Sequence, residues 1–317
     1  MRILLAISGG IDSMYLANMA PELFPGATFA VAHCNFGLRG EESDGDEAFV
    51  REWCSSHGME CFVKRFDTAR YAHEKGISIE MAARELRYSW FAQLCHPSVP
   101  ETPGASSCGF DALAVAHNAN DNAETLLLNM VRGCGSRGMR GMSEDCTNAD
   151  GLRILRPMLG ISREEIAIWA KDNAIAWRED STNADTIYKR NRIRHEVLPV
   201  LKEMNPSVLR TLRQDMERIA QTDDIAQDYF RLAARECLCE DGVSVNLKKL
   251  AGFTHRDWLL FRLTEGRIGD DVLHRLQNYV EKAIAAGNCF TGGKQFGPYV
   301  TCRGILKLGS RQHLHLM

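Results

Sequence analysis

The sequence predicts an open, doubly wound α/β domain built on a parallel sheet, followed by a second, smaller, mainly helical domain. Three observations carry this. Short apolar runs alternate with helix-length segments through roughly the first two hundred residues. Those runs are near-continuous, as in Ala112–Ala116, which suits strands buried on both faces. Beyond Asn205 the alternation stops and apolar residues recur at helical spacing.

Taken in order, "RILLAI" is a strand feeding the helix of "DSMYLANMA", and "TFAVAHCNF" feeds "DEAFVREWCSSHG". "ECFVKRF" precedes "SIEMAARELRYSWFAQLC", "DALAVAH" precedes "NDNAETLLLNMVRG", and "LRILRP" precedes "SREEIAIWAKDN". Strands of this length separated by helices imply βαβ units. Two stretches interrupt the rhythm. His96–Gly109 is rich in Pro, Gly and Ser and reads as a mobile surface loop, and Ser143–Gly151 reads as a polar turn cluster. After the "NPS" turn, Val208, Leu212, Met216, Ile219, Ala226, Phe230, Ala233 and Cys237 form an amphipathic helical stripe. A further helix is expected near Asp270–Ala286, then a short β-hairpin in "CFTGGKQFGPYVTCRGILKLG". The expected domains are residues 1–204 and 205–317.

Composition narrows the class. A chain of 317 residues with 45% hydrophobic and 25% charged residues can bury a large core. No apolar run approaches a membrane span, and "MRILLAI" is too short for a secretory signal. The eleven cysteines are therefore expected as thiols in a reducing, cytoplasmic compartment. No C-x-x-C pair occurs, which argues against structural zinc or an iron–sulfur cluster. A net charge of −3 demands no polyanion partner, so any such site must come from local basic clusters.

The first strand ends in Ser8-Gly9-Gly10-Ile11-Asp12-Ser13. Two glycines permit a tight bend and close approach of a phosphate oxygen. The helix that follows offers unpaired amides and its positive dipole end, Ser8 and Ser13 add hydroxyls, and Asp12 can hold Mg²⁺. The lysine of the G-x-x-x-x-G-K-[ST] loop is missing, so the grip is by backbone and hydroxyl groups. A plain capping turn is the simpler alternative.

This loop resembles the S-G-G-x-D-S signature of the PP-loop ATP pyrophosphatases, which cleave ATP at the α-phosphate. The later motifs "VAHCNFGLRGEESDGDEAFV", "EMAARELRY", "DALAVAHNANDNAETLLLNMVRGCGSRGMRGM", "LRPMLGISREEI" and "WREDSTNADTIYKRNRIRHEVLPVL" occur in an order that closely resembles the tRNA(Ile)-lysidine synthetase family. The likeness is strong over Arg2–Leu201 and weaker beyond. It implies a ligase: ATP adenylates the C2 oxygen of the wobble cytidine of a CAU-anticodon tRNA(Ile), then the side-chain amine of free L-lysine attacks C2 and expels AMP. It also implies ATP as co-substrate, Mg²⁺ on Asp12, pyrophosphate held by Ser8–Ser13, and room for a homodimer.

The resemblance assigns Asp121 and Glu124 to lysine recognition. They lie three apart on one helix face, where a solvated D-x-x-E is the alternative. It places Arg87 and Arg194 beside Asp12 at the reaction centre, where cations would stabilise charge at the α-phosphate. The i,i+3 pair Arg84/Arg87 and the i,i+4 pair Arg190/Arg194 could equally be surface ion pairs. Arg132, Arg137 and Arg140 in a flexible glycine-rich loop, with Lys189, Arg190 and Arg192, form the expected tRNA-phosphate surface. His33 and Asn35 either meet a base or are buried, hydrogen-bonded side chains. Two departures stand out: "HNANDNAET" replaces the family's H-H-x-D-D-Q-A-E-T, putting any role of Asn120 in doubt, and Phe36 stands where histidine is common. The rival readings are a PP-loop tRNA thiolase, which would want paired cysteines, and a catalytically silent RNA-binding module, which would want a damaged phosphate loop.

Overall fold

The computed structural model describes residues 1–96, 109–179, 189–242, 244–264, 269–287, 289–290, 293–296, 299–302 and 304–308. The chain divides into two compact units, Met1–Ala220 and Gln221–Met317.

In the first unit, β1 (Arg2–Ala6), β2 (Thr28–Asn35), β3 (Glu60–Arg65), β4 (Ala112–Ala114), β5 (Asp145–Thr147) and β6 (Arg153–Leu155) form one sheet in the order β3-β2-β1-β4-β6-β5. All neighbours are parallel except β5, which runs antiparallel to β6. Alternate residues explain the continuous apolar runs. Ile3, Leu5, Val31, Ala112 and Ala114 enter one core layer, while Leu4, Ala30, Ala32 and Leu113 enter the layer on the opposite face.

The helices are α1 (Ile11–Leu23), α2 (Glu41–Ser56), α3 (Thr68–Lys75), α4 (Ile79–Cys95), α5 (Ala119–Arg132), α6 (Ser136–Met139), α7 (Arg163–Asp172), α8 (Lys189–Arg192) and α9 (Leu198–Met204). A single π turn, Ile193–Val197, joins α8 to α9. Pro199 opens α9 and carries no amide, so the ordinary ladder of hydrogen bonds cannot run through it, and the widened turn stands directly before it.

Several expectations are corrected. Asp145–Thr147 is an edge strand rather than part of a polar turn, because Cys146 packs on the core and Asp145 meets Arg153 across the strands at 2.6 Å. Helix α3 had no counterpart in the periodicity; its start is fixed by the Asp67 carboxylate accepting the Arg70 amide. The Arg132–Arg140 glycine stretch holds the short helix α6 and is tied down at its C-terminal end. Asn129 donates to the Gly138 carbonyl at 2.8 Å, and Gly141, at φ +68°, lies where a Cβ would strike Met216 Sδ and Asn122 Oδ1. The stretch His96–Gly109 lies almost wholly outside the described residues.

The division between units falls inside the long helix α10 (Val208–Cys237), later than the Asn205 turn. Leu209 and Leu212 pack with Ala123, Ile193 and Leu198 of the first unit, so the start of the helix belongs there. The second unit has its own core, in which Ala233 and Cys237 meet α11 (Leu247–Leu250), α12 (Arg256–Leu263) and α13 (Asp270–Ala285). In place of an isolated hairpin it holds a four-stranded antiparallel sheet, β7 (Val245–Asn246), β8 (Lys294–Phe296), β9 (Tyr299–Cys302) and β10 (Ile305–Leu308), in the order β7-β10-β9-β8. Among the described residues no helix is long and apolar enough to cross a membrane.

The Gly141 geometry gives a stability prediction. Gly141→Ala places a side chain at positive φ and into Met216, so urea denaturation should show a loss of about 1–3 kcal/mol. Gly151→Ala, also at positive φ but in open space, should lose less.

Candidate active site

The site lies at the C-terminal edge of β1 and β4, where open parallel sheets bind ligands. After β1 the chain turns through Ser8-Gly9-Gly10 into α1, with Gly9 at φ +95°. Gly10 caps the helix without a side chain, so the amides of Ile11 and Asp12 receive no side-chain acceptor from the cap. The loop is internally braced. Ser13 Oγ accepts the amides of Ser8 and Gly9 at 3.2 and 3.1 Å and donates to the Gly10 carbonyl at 2.8 Å, while the Gly10 amide donates to Ser8 Oγ.

Arg178 braces it from outside. Its amide donates to the Gly9 carbonyl at 3.0 Å, and its Nε bonds Asp46 Oδ1 at 2.5 Å. In a trans peptide the carbonyl and the following N–H point oppositely, so fixing the Gly9 carbonyl on Arg178 turns the Gly10 amide away from it. Gly45 in α2 lacks the side chain that would collide with the Arg178 guanidinium at 2.8 Å.

Asp12 leaves the loop toward α5. Its Oδ1 accepts from Asn118 Nδ2 at 3.0 Å, and its Oδ2 lies 3.9 Å from Arg163. Burial pushes its carboxyl above the usual carboxylate range, with the Asp121 charge adding to the rise and Arg163, Asn118 and Arg194 opposing it. Asn118, almost fully buried, also caps α5: its Oδ1 accepts the Asp121 amide, and its own amide donates to Asp121 Oδ2.

Asp121 and Glu124 share one face of α5, and both carry arginines. Arg190 Nε bonds Glu124 Oε2 at 2.7 Å, and its Nη2 bonds Asp121 Oδ1 at 3.0 Å. Arg194 Nε bonds Glu124 Oε1 at 2.6 Å, and its Nη2 reaches Glu124 Oε2 at 3.1 Å and Asp121 Oδ1 at 3.4 Å. Glu124 is fully buried. Burial works against the Arg194 charge, but the bonds and charges of Glu124, Asp121 and Asp12 outweigh it and raise its pKa.

A cavity of about 320 Å³ opens beside the loop, lined by Ser8, Asp12, Ser13, Phe36, Arg87 and His117. It adjoins a second of about 400 Å³ that shares Ser8, Phe36 and Arg87 and reaches Arg39. Arg87 lies over the Phe36 ring at 5.1 Å, and Phe36 stacks on Phe66 at 5.6 Å. Phe36 thus supplies a π face that steadies Arg87. His117 Nδ1 accepts from Arg156 Nε at 3.2 Å, so its proton sits on Nε2. Burial and then the charges of Arg156, Arg190, Arg84 and Arg87 push this imidazole down to about 3.

The sequence-predicted residues therefore separate. Ser8, Gly9, Gly10, Ile11, Asp12, Ser13, Arg87, Asp121, Glu124 and Arg194 converge on the site. Arg190, expected on an RNA surface, turns inward to the carboxylates. Arg132 and Arg137 are exposed, Arg140 is half-buried, and Arg192 is exposed and paired with Glu196. Lys189 opens α8, and its side chain lies outside the described ones. His33 is buried with Nδ1 donating to the Ile7 carbonyl, Asn35 bonds Asp44 and Glu47, and both line the second cavity. Asn120 accepts the Arg163 amide at 3.0 Å, a capping role for which an amide oxygen suffices. Sequence reasoning missed Asn118, Arg156, Arg163 and Arg178. Only Asn118 carried a local signal, the N-x-x-D capping pattern before a helix.

A braced, glycine-rich, lysine-free loop at the strand ends of a parallel sheet defines a nucleotide-binding α/β protein. The PP-loop domain family matches residues 1–201. A curated tRNA(Ile)-lysidine synthase of Porphyromonas gingivalis is 45% identical over 74% of this chain and 48% of its own length. One of Chlorobaculum tepidum is 34% identical over 90% of this chain and 86% of its own. The chain belongs to the tRNA(Ile)-lysidine synthase family within the PP-loop proteins. It spans about half the length of the first curated relatives it matches. A solved U34-tRNA thiolase of Methanococcus maripaludis shares the fold, with TM-score 0.56 at 16% identity over 70% of this chain and 73% of that one.

Two predictions follow from the geometry. The His117 ring should not titrate between about pH 5 and 8 in ¹⁵N NMR. Because its folded pKa lies below the unfolded value near 6.5, its contribution to stability is present above about pH 6.5 and lost as pH falls below it; His117→Gln should flatten that acid slope. Arg178→Ala should weaken ATP binding roughly five- to tenfold by calorimetry, since it frees the Gly9 brace; an unchanged dissociation constant would refute that role.

Proposed function

We propose that this chain is a ligase that makes lysidine at the wobble cytidine of a CAU-anticodon tRNA(Ile) in the cytoplasm. The observation that carries the reading is Asn118. It bonds Asp12 of the phosphate loop and Asp121 of the carboxylate pair at once, so nucleotide and ammonium sites share one wall.

In the first step the cytidine C2 oxygen attacks the α-phosphorus and the bond to the bridging oxygen of the β-phosphate breaks. Pyrophosphate departs in the Ser8–Ser13 loop. Arg87, steadied on Phe36, faces the cavity where charge grows on the α-phosphate. In the second step the lysine side-chain amine attacks C2, and AMP leaves with the C2 oxygen. Asp121 and Glu124 would recognise the ammonium group of the amino acid by charge-assisted hydrogen bonds.

Mg²⁺ is tested by Asp12. Its Oδ2 is not used by Asn118, and burial raises its carboxyl pKa, which an adjacent cation would oppose. One carboxylate together with substrate phosphates is a usual Mg²⁺ arrangement, so Asp12 fits. The ion would neutralise phosphate charge there.

The test is incubation with ATP, Mg²⁺, labelled L-lysine and a CAU-anticodon tRNA(Ile) transcript. Label in the tRNA with equal AMP and pyrophosphate is expected; unlabelled tRNA overturns the proposal. Within the site, Asp121→Asn should disturb both substrates, because Asp121 also holds Asn118. Glu124→Gln should raise the lysine KM roughly 10- to 100-fold while leaving the ATP KM within about twofold. Parallel loss of both would remove Glu124 from lysine recognition.

A further inference from the structure

Every carboxylate oxygen of Asp121 and Glu124 already accepts a hydrogen bond. Arg194 takes Glu124 Oε1, both arginines take Glu124 Oε2 and Asp121 Oδ1, and the Asn118 amide takes Asp121 Oδ2. Two carboxylates facing two guanidiniums offset one another, with Glu124 fully buried, and the neighbouring Asp12 is faced in turn by Arg163. An alkylammonium entering this group would leave one positive charge in excess among contacts near 3 Å, where the repulsion is poorly screened. One guanidinium has to leave.

The geometry selects which one. Arg194 makes three bonds and its side chain is 20% exposed, whereas Arg190 makes two and is 40% exposed. Arg194 also belongs to the π turn, whose neighbour Ile193 is anchored with Ala123 and Leu198 in the core, while Arg190 lies in the short helix before it.

Resting on the lysine-ligating reading above, we propose that Arg190 is a resident counter-cation of the amino-acid site. The substrate ammonium displaces it, and the freed guanidinium takes an RNA phosphate. Arg190 acts through Asp121 and Glu124, so it is a positioning residue. It sets how hard lysine must compete, and it couples lysine binding to RNA binding. Linkage makes that coupling reciprocal: RNA that holds Arg190 outward tightens lysine, and lysine that ejects Arg190 tightens RNA.

The test measures L-lysine binding to the full chain by calorimetry, with a non-hydrolysable ATP analogue, with and without the CAU-anticodon transcript. Wild type should bind lysine about tenfold tighter when RNA is present. Arg190→Gln, which removes the competing charge, should bind lysine about tenfold tighter than wild type without RNA and gain nothing from RNA. Arg190→Lys keeps the charge and should stay close to wild type. Weaker or unchanged lysine binding in Arg190→Gln, with a melting midpoint like wild type, overturns the proposal, because a merely structural arginine cannot improve affinity when deleted. If Arg190→Gln melts early, equal lysine affinity of wild type and Arg190→Lys with no RNA-induced tightening in either overturns it equally. Absence of lysine binding in every protein refutes the ligase reading itself, a result distinct from lysine binding that Arg190→Gln weakens.

Discussion

A carboxylate with no exposed surface, Glu124, is the constraint around which the site is arranged. An ionised carboxylate in that position is tolerable only if cations and hydrogen bonds meet both oxygens. The chain meets it with two arginines from a segment far along the sequence, and the delivery explains the local backbone. Pro199 interrupts the helical ladder, the π turn absorbs the interruption, and Arg190 and Arg194 arrive together on one face of α5. The packing of Ile193 and Leu198 on Ala123 holds that arrangement. A hydrophobic contact beneath an ionic one thus sets the register between α5 and the arginine segment.

The same helix end governs the phosphate loop. Asn118 closes a capping box with Asp121 and spends its amide nitrogen on Asp12. Asp12 therefore does not choose its own orientation; it inherits one from the start of α5. On its other side the loop takes its shape from Ser13 and Arg178, which hold the amides of Ser8 and Gly9 and the carbonyl of Gly9. A loop braced in this way keeps its donors aimed before a phosphate arrives, which lowers the ordering cost of binding. The braces come from four places in the sequence, Ser13, Asp46, Asn118 and Arg178, so a local motif could show only the glycines.

That distinction explains what the sequence disclosed. Strands β1 to β4 and β6 were legible because burial on both faces demands apolar residues at consecutive positions, as at Ile3, Leu4 and Leu5. Strand β5 was not, because it covers an edge with only Cys146 facing the core. Asp12, Asp121 and Glu124 were legible through motif order. The bonds of Arg190 to Asp121 and Glu124 were not legible, because i,i+4 spacing says which residues share a face and nothing about what that face meets. Phe36 looked like a loss when judged by residue type alone. The structure shows an aromatic stack that supports Arg87, an interaction defined by β2's end, β3's end and α4 together.

Burial weighs on the two titratable groups that face the cavity, Asp12 and His117. Burial raises Asp12 toward protonation, and burial with four arginines keeps His117 uncharged. Bonded opposite charges meet where Glu124 and Asp121 face Arg190 and Arg194, and where Asp46 faces Arg39 and Arg178. In such a setting a charged ligand binds strongly only if it brings its own counter-charge or takes the place of a charge already present. On the proposed reading, nucleotide phosphates would meet the first condition with a divalent cation beside Asp12. An ammonium group at Asp121 and Glu124 would meet the second, because both carboxylates are already bonded to arginines. The two proposed substrates would therefore differ at this site for a physical reason: one brings a cation that offsets part of its own charge, the other exchanges one cation for another.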